Sequence, residues 1–117
     1  MSIRIVEKPI SADELRKIAQ EHFGDMVKGV VDLTKGIIAL GGELHADAET
    51  LLLEAGSEQR DLWGFNIYID KPIEERVVCS SLINIRPSQG NRAMEVQDFD
   101  LRQKITDVVN NLTGQPG

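Results

Sequence analysis

The sequence predicts a single α+β domain with three helices and a largely antiparallel sheet of five strands, in the order β-α-β-β-α-β-β-α. Helical periodicity occurs three times along the chain, and segments with strand-like character lie between the helical stretches. Predicted hairpins outnumber the long crossovers that a parallel sheet requires. The 117 residues also match the length of one ordinary domain. We expect the three helices to pack on one face of the sheet.

The first helix is marked at both of its ends. A short strand is predicted over Ile3–Glu7, and Ser11 then opens the helix with Glu14 in the capping-box position. Apolar residues recur at helical spacing as far as Phe23, and Gly24 is suited to end the helix.

A hairpin and a second helix follow. Met26–Leu33 and Ile37–Leu40 are predicted strands, and Gly36 between them can adopt the positive φ of a tight turn. Their nearly continuous apolar run indicates that part of this hairpin is central in the sheet. The second helix is predicted over Ala46–Ala55, with Gly56 as its cap.

The last part of the chain contains two strands, a helix and a short tail. Trp63–Asp70 alternates apolar and polar residues, and Val77–Arg86 is expected to return beside it as an antiparallel partner. Asp98 is a good N-cap for the final helix. The domain is therefore predicted over residues 1–112, and residues 113–117, which have no periodicity, are expected to form a frayed tail.

Composition argues against several classes of protein. The formal net charge of −6 disfavours a nucleic-acid binder, because affinity for phosphate backbones comes mainly from clustered Lys and Arg. No window approaches the roughly 20 apolar residues of a membrane span, and no signal-peptide pattern is present. The single cysteine, Cys79, cannot form an internal disulfide. We expect a soluble cytoplasmic protein that binds neither nucleic acid nor membranes.

The segment Gly41–Asp47 is the first candidate for a functional site. If it is extended, Glu43, His45 and Asp47 share one face because side chains alternate along a strand. Two carboxylates around an imidazole suit acid–base catalysis or a divalent metal. The structural alternative is that acidic residues are favoured near the start of a helix. The shared face is lost if the helix begins before Asp47.

The second candidate is the polar run Arg86–Arg92. Two guanidinium groups flank a glycine turn with free backbone N–H groups, which suits a phosphate or a carboxylate. Pro87 favours an extended Arg86, so Arg86 and Asn84 are expected to share a sheet face. In the structural alternative, Arg86 pairs with a carboxylate such as Glu43. The predicted ligand-binding residues are Asn84, Arg86, Ser88, Gln89, Gly90, Asn91 and Arg92.

Three hypotheses for function follow from these segments. The favoured one is a ligand- or partner-binding module whose arginine loop binds a small anionic ligand. The second is a small enzyme in which Arg86 and Arg92 hold an anionic substrate. There, His45 would act with Glu43 or Asp47 as an acid–base pair or as metal ligands. The third is a structural or oligomeric protein, with a homodimer or partner contact through the leucine-rich second helix. The sequence assigns no metal site and no cofactor.

Four stretches of the chain resemble a known family: Phe23–Lys28, Gly41–Asp47, Asp61–Gly64 and Ile83–Arg92. The Gly-Gly-Glu-Leu-His and Arg-Pro-Ser-Gln-Gly-Asn-Arg runs are long enough to be specific, and the similarity covers about residues 3–112. The family consists of small bacterial and archaeal proteins catalogued as a domain of unknown function. The resemblance implies a prokaryotic cytoplasmic protein and implies no substrate, cofactor or catalytic residue.

Overall fold

A computed structural model describes residues 3–114 of the chain. Its strands and helices follow one another in the predicted order, and short 3₁₀ turns connect some of them. The strands are β1 (Arg4–Val6), β2 (Met26–Asp32), β3 (Ile37–Leu40), β4 (Leu62–Tyr68) and β5 (Val77–Val78). The helices are α1 (Ala12–Gln20), α2 (His45–Glu54) and α3 (Phe99–Thr113).

The five strands form one antiparallel sheet in the spatial order β1-β3-β2-β4-β5. β2 and β4 are its longest pair, and their register runs from Met26 opposite Tyr68 to Asp32 opposite Leu62. β2, β3 and β4 each have a neighbour on both sides, so within residues 3–114 the edge strands are β1 and β5. The predicted fold class is confirmed.

The expectation that all three helices pack on one face is wrong. α1 and α3 cover one face of the sheet, and α2 covers the opposite face. The reason lies in β2, where the adjacent residues Val30 and Val31 point to opposite faces and are both fully buried. The consecutive apolar residues Ile37–Leu40 of β3 likewise require burial on both faces of the sheet. The sheet is therefore the middle of three layers.

The predicted starts of α1 and α3 are confirmed, whereas α2 begins at His45, one residue before the predicted Ala46. The hydroxyl of Ser11 accepts the N–H of Glu14 at 3.1 Å at the start of α1. The carboxylate of Asp98 accepts the N–H of Leu101 at 3.0 Å at the start of α3. Both side chains satisfy an amide that has no partner within the helix.

The end of α3 differs from the prediction. The helix continues through Thr113, which is buried, so a frayed tail that begins at this residue is wrong. The hydroxyl of Thr113 donates to the carbonyl of Val109 and accepts from the guanidinium of Arg76 at 2.8 Å. Gly114 caps α3, and the last three residues of the predicted tail, 115–117, lie outside the described residues.

The predicted strand Val77–Arg86 is also much shorter than expected. Only Val77–Val78 pairs with β4, and the chain then turns through two 3₁₀ segments at residues 82–84 and 87–89. The hydroxyl of Ser81 accepts the N–H of Ile83 at 3.3 Å, which favours the turn over a strand. The Ser81 side chain lies directly on Gly64 of β4, where an added Cβ would stand 2.6 Å from it.

We expect Gly29→Ala to lower the free energy of unfolding by about 1–3 kcal/mol, the usual cost of overpacking a core. Gly29 lies opposite Phe65 in the central strand pair, and a Cβ there would stand 2.4 Å from the ring. Urea denaturation measures the change. In a double-mutant cycle with Phe65→Leu, the alanine should cost less once the ring has been removed. Strictly additive costs would contradict this explanation.

Candidate functional site

Arg86 is bound internally rather than presented to a ligand. Its guanidinium carbon lies 4.2 Å from the centroid of the Trp63 ring. Burial lowers the pKa of Arg86, and the carboxylate of Glu49 acts in the opposite direction. All three guanidinium nitrogens donate hydrogen bonds, and the acceptors are the carbonyl oxygens of Ile83, Gln59 and Leu62 and the side-chain oxygen of Gln89. The group thereby ties its loop to the segment that enters β4.

Asn84 and Asn91 are likewise occupied by the backbone. Asn84 is fully buried, and its amide accepts the N–H of Gly64 at 2.8 Å and donates to the carbonyl of Gly64 at 3.0 Å. The Asn91 amide nitrogen donates to the carbonyl oxygens of Asn84, Ala93 and Glu95. These amides satisfy backbone groups in a part of the chain that has left the sheet.

The remaining residues of this loop are exposed. Ser88, Gly90 and Arg92 reach solvent, and Gly90 closes a 3₁₀ turn with a φ of 81°. Within residues 3–114, the guanidinium of Arg92 makes no hydrogen bond or ion pair. The predicted sheet face shared by Asn84 and Arg86 is wrong, because both residues lie in the turns that follow β5. That the loop binds an anion stays a prediction, which the occupied Arg86 does not favour.

The alternative role for Arg86, an ion pair with a carboxylate such as Glu43, is also wrong. The partners of the Arg86 guanidinium are three carbonyl oxygens and an amide oxygen. The positive charge of Arg86 is therefore stabilised by peptide dipoles, by the Trp63 ring and, without a direct ion pair, by the carboxylate of Glu49.

The segment Gly41–Asp47 is not extended, so the face predicted for Glu43, His45 and Asp47 is wrong. Leu44 is the N-cap and α2 begins at His45, so His45 and Asp47 are two helical residues that point about 200° apart. Glu43 and Asp47 are both exposed. Among residues 3–114, no cluster of three or more His, Cys, Asp and Glu side chains is arranged to hold a metal ion. The metal-ligand hypothesis therefore has no support in this geometry.

A cavity of about 400 Å³ lies at the start of α2, on the face of the sheet that α2 covers. Lys28 of β2 and Asn66 of β4 lie directly opposite each other in the sheet, and both line the cavity. The first turn of α2 and the turn that follows β5 supply its other walls. Its larger apolar side chains are Met26, Leu44, Leu82, Ile83 and Met94.

His45 lines this cavity in a defined orientation. Its Nε2 lies 2.8 Å from the carbonyl oxygen of Phe65. Because that oxygen only accepts, Nε2 carries the proton, and in the neutral ring Nδ1 is left with a lone pair. Burial lowers the pKa of His45, and so does the charge of Lys28, while the Phe65 carbonyl and the Asn66 side chain raise it. His45 is therefore neutral near pH 7.

Asn66, which lines the cavity, has an unsatisfied side-chain oxygen. Its amide nitrogen donates to the carbonyl of Ser80 at 3.2 Å. Its Oδ1 is buried and has no hydrogen-bond donor among the described residues. A buried acceptor in this condition costs about 1–3 kcal/mol, so a molecule that supplies a donor gains that stabilisation on binding.

Of the site residues predicted from the sequence, only His45 lies at this cavity. His45 lines it, whereas Glu43, Asp47, Arg86 and Arg92 do not. Lys28 and Asn66, which also line the cavity, are not among the residues predicted from the sequence. The sequence pattern that could have indicated them is a polar residue in the middle of an apolar strand. Lys28 interrupts the apolar run of β2, and Asn66 does the same in β4.

These features define a small α+β domain with a cavity beside one face of its central sheet. The chain belongs to the family described as a protein of unknown function (DUF5674), whose model matches residues 4–112. The resemblance predicted from the four sequence stretches is thus confirmed. No curated protein and no solved structure gives a match. Within residues 3–114, every helix is too short or too polar to cross a membrane.

We expect Arg86→Ala to lower the free energy of unfolding by about 2–4 kcal/mol, because several carbonyl oxygens would lose a charged donor at once. Arg86→Lys should restore little, since an ammonium cannot reproduce the planar fork. Arg92→Ala is the matched control and should change stability by less than about 0.5 kcal/mol. Urea denaturation compares the three variants, and equal losses in Arg86→Ala and Arg92→Ala would refute the structural role of Arg86.

We expect His45 to make stability depend on pH. Its pKa is lower in the folded chain than its ordinary value of 6.5, so the folded state favours the neutral ring. The resulting stability is complete above pH 6.5 and is lost as the pH falls below it towards the lowered pKa. His45→Gln keeps an N–H donor and does not titrate, so its urea midpoint should fall less between pH 7.5 and pH 5. Identical pH profiles, or an NMR titration of His45 at or above 6.5, would contradict this.

Proposed function

We propose that this protein is a cytoplasmic module that binds a small amphipathic anion in the cavity at the start of α2. The observation that carries the proposal is the buried Oδ1 of Asn66, which lacks a donor and belongs to a residue that lines a cavity with apolar sides. Ligand pockets commonly combine mostly apolar walls with a few converging polar groups.

Three polar groups of the cavity residues determine the chemistry expected at the polar end of the ligand. Asn66 requires a donated N–H or O–H, and the neutral His45 offers a second acceptor at Nδ1. Lys28, directly opposite Asn66, provides a cation. The positive end of the α2 macrodipole adds to the field of Lys28. A carboxylate with a hydroxyl or amide N–H beside it matches this set.

The exposed apolar side chains around the cavity indicate that the ligand also has an apolar part. Leu44, Leu82 and Met94 line the cavity while remaining 58%, 71% and 42% exposed. Covering such surface stabilises a complex by about 25 cal/mol per Å². Met94 also has the flexible side chain that adapts to varied apolar shapes.

The ligand is still the small anion predicted from the sequence, but its proposed site is the cavity at the start of α2 and not the loop Arg86–Arg92. The Arg86 guanidinium is already bonded on all three nitrogens, whereas Lys28 lines a cavity. The inference of a cytoplasmic location is supported by Cys79, a free buried thiol that is the only cysteine of the chain.

An enzyme is the second candidate, and the state of His45 favours it. The Phe65 carbonyl fixes the Nε2–H, so the lone pair of Nδ1 is available to take a proton from a substrate held by Lys28. In this version Glu43 and Asp47 have no role. A His45→Gln variant that binds ligand normally and lacks turnover would distinguish the enzyme from the binding module.

A homodimer through α2, the third hypothesis, has less support. Leu52 belongs to the core between α2 and the sheet, and Leu51 is half-buried. Only Leu53 of the three leucines is exposed, at 39%. One side chain of this kind is ordinary for a protein surface.

We expect 2-hydroxyoctanoate and N-octanoylglycine to stabilise the fold more than octanoate, since only the first two carry a donor for Asn66. A ligand at a hundredfold its dissociation constant adds about 2.7 kcal/mol, a shift in Tm on the order of 10 °C. Thermal-shift measurements should show that Lys28→Met and Asn66→Leu abolish the shift.

Arg92→Ala is the control in this experiment and should keep the full shift. The proposal fails if no probe raises the Tm of the wild type. It also fails if Arg92→Ala loses the shift while Lys28→Met retains it, because the ligand would then lie at the arginine loop.

A further inference from the structure

A second and larger cavity, of about 640 Å³, lies between β5 and α3 and forms a groove. The α3 residues that line it recur at spacings of three and four, which makes them a stripe separate from the core-facing stripe. The stripe covers about 16 Å of the helix axis. Its members are Phe99, Arg102, Gln103, Thr106, Asp107 and Asn110.

The opposite wall of this groove contains an open sheet edge. The N–H of Tyr68 donates to the carbonyl of Arg76 at 2.8 Å, so these two residues form a hydrogen-bonded pair. Hydrogen-bonded and non-hydrogen-bonded pairs alternate along antiparallel strands. The next pair, Ile67 and Val77, is therefore non-hydrogen-bonded, and the N–H and carbonyl of Val77 point away from β4.

Beyond Val78, the outer side of the segment that continues β5 is already paired with residues 94–96 of the same chain. The N–H of Val96 donates to the carbonyl of Cys79 at 3.0 Å, and the N–H of Ser81 donates to the carbonyl of Met94 at 3.1 Å. The chain then departs into α3. No described residue hydrogen-bonds to the outward backbone groups of Val77. The groove is thus the place where the ladder begun by residues 94–96 can continue.

Exposed apolar side chains surround the groove. Ile73, Val78 and Phe99 line it while being 47%, 37% and 66% exposed. Cys79 lines its floor, and burial raises the pKa of this thiol to about 11, so it is a neutral apolar group at pH 7. The groove therefore offers apolar contact along both of its walls.

The charges at the groove select the partner. Glu74, Glu95 and Asp107 line it and are exposed. Arg102 is the one cation among the described residues that line the groove. Its guanidinium donates to the carbonyl of Val96 at 3.2 Å and lies 5.8 Å from the Phe99 ring centroid. A basic segment is complementary to this rim, whereas a second copy of a chain with a net charge of −6 is disfavoured by repulsion.

We propose that the groove between β5 and α3 binds an extended, basic segment of a partner protein, which adds to the sheet edge at Val77. Its backbone would bond to Val77 while apolar side chains contact Val78 and Phe99. Its Lys or Arg side chains would lie beside Glu95 and Asp107. This site lies at the outer edge of β5, between β5 and α3, and shares no lining residue with the cavity at α2.

Fluorescence anisotropy with a fluorescein-labelled octapeptide of alternating lysine and valine tests the proposal on the full chain. We expect this peptide to bind and its glutamate–valine counterpart to bind at least tenfold more weakly. Raising the salt from 50 to 500 mM should weaken binding several-fold because the rim charges are exposed. N-methylation of the backbone amides of the peptide should abolish binding, since the alternate N–H groups that face Val77 must be donated to the sheet edge.

Substitutions in the groove locate the peptide. Phe99→Ala and Asp107→Asn should each weaken binding at least fivefold, and both residues are exposed, so the fold should persist by circular dichroism. Leu53→Ala and Glu54→Gln, on α2, are matched controls and should bind the peptide like the wild type. Equal affinity for the two peptides, or undiminished binding of the N-methylated peptide, would overturn the proposal. So would a dimer in sedimentation that Phe99→Ala dissociates, because the occupant would then be a second copy.

Discussion

The architecture of this protein depends on the need to cover the central strands on both faces. Val30 and Val31 are neighbours in β2 and point in opposite directions, and neither has any exposed surface. A helix on each side is therefore required, so α2 crosses to the face opposite α1 and α3. The start of α2 then lies beside Lys28 and Asn66, and this placement creates the cavity. The candidate site is thus a consequence of how the core is closed.

A second constraint acts after β5, where the chain leaves the sheet but stays close to it. Backbone groups there need partners, and side-chain amides and a guanidinium supply them. Asn84 bonds both backbone groups of Gly64, and Arg86 bonds several carbonyl oxygens around the start of β4. This explains why the polar run is rich in amides and arginine without any need for a ligand. Polar side chains in a loop can therefore stabilise the fold, as a buried leucine does.

The two cavities arise where regular structure stops early. β5 ends after Val78, and the turns that follow leave room beside Asn66 on one face of the sheet. At the outer edge of β5, the departure of the chain into α3 leaves the outer backbone groups of Val77 without a partner among the described residues. Of the nine large apolar side chains that are exposed among residues 3–114, six line one cavity or the other, three at each. Exposed apolar surface is thus concentrated at these two places, which is typical of binding surfaces.

Local patterns in the sequence determined the elements of this protein, because caps, turns and periodicity depend on residues close together in the chain. Ser11 and Asp98 cap the helices they were expected to cap, and β3 has the predicted bounds. Only the tertiary structure decided which groups meet. Lys28 and Asn66 are 38 positions apart in sequence and become neighbours through strand register. Arg86 was expected to meet a ligand and instead meets Gln59 and Leu62, whose carbonyl oxygens no side-chain pattern reveals. Hydrogen bonds to the backbone are set by where the chain passes, so the site emerged only when the fold was complete.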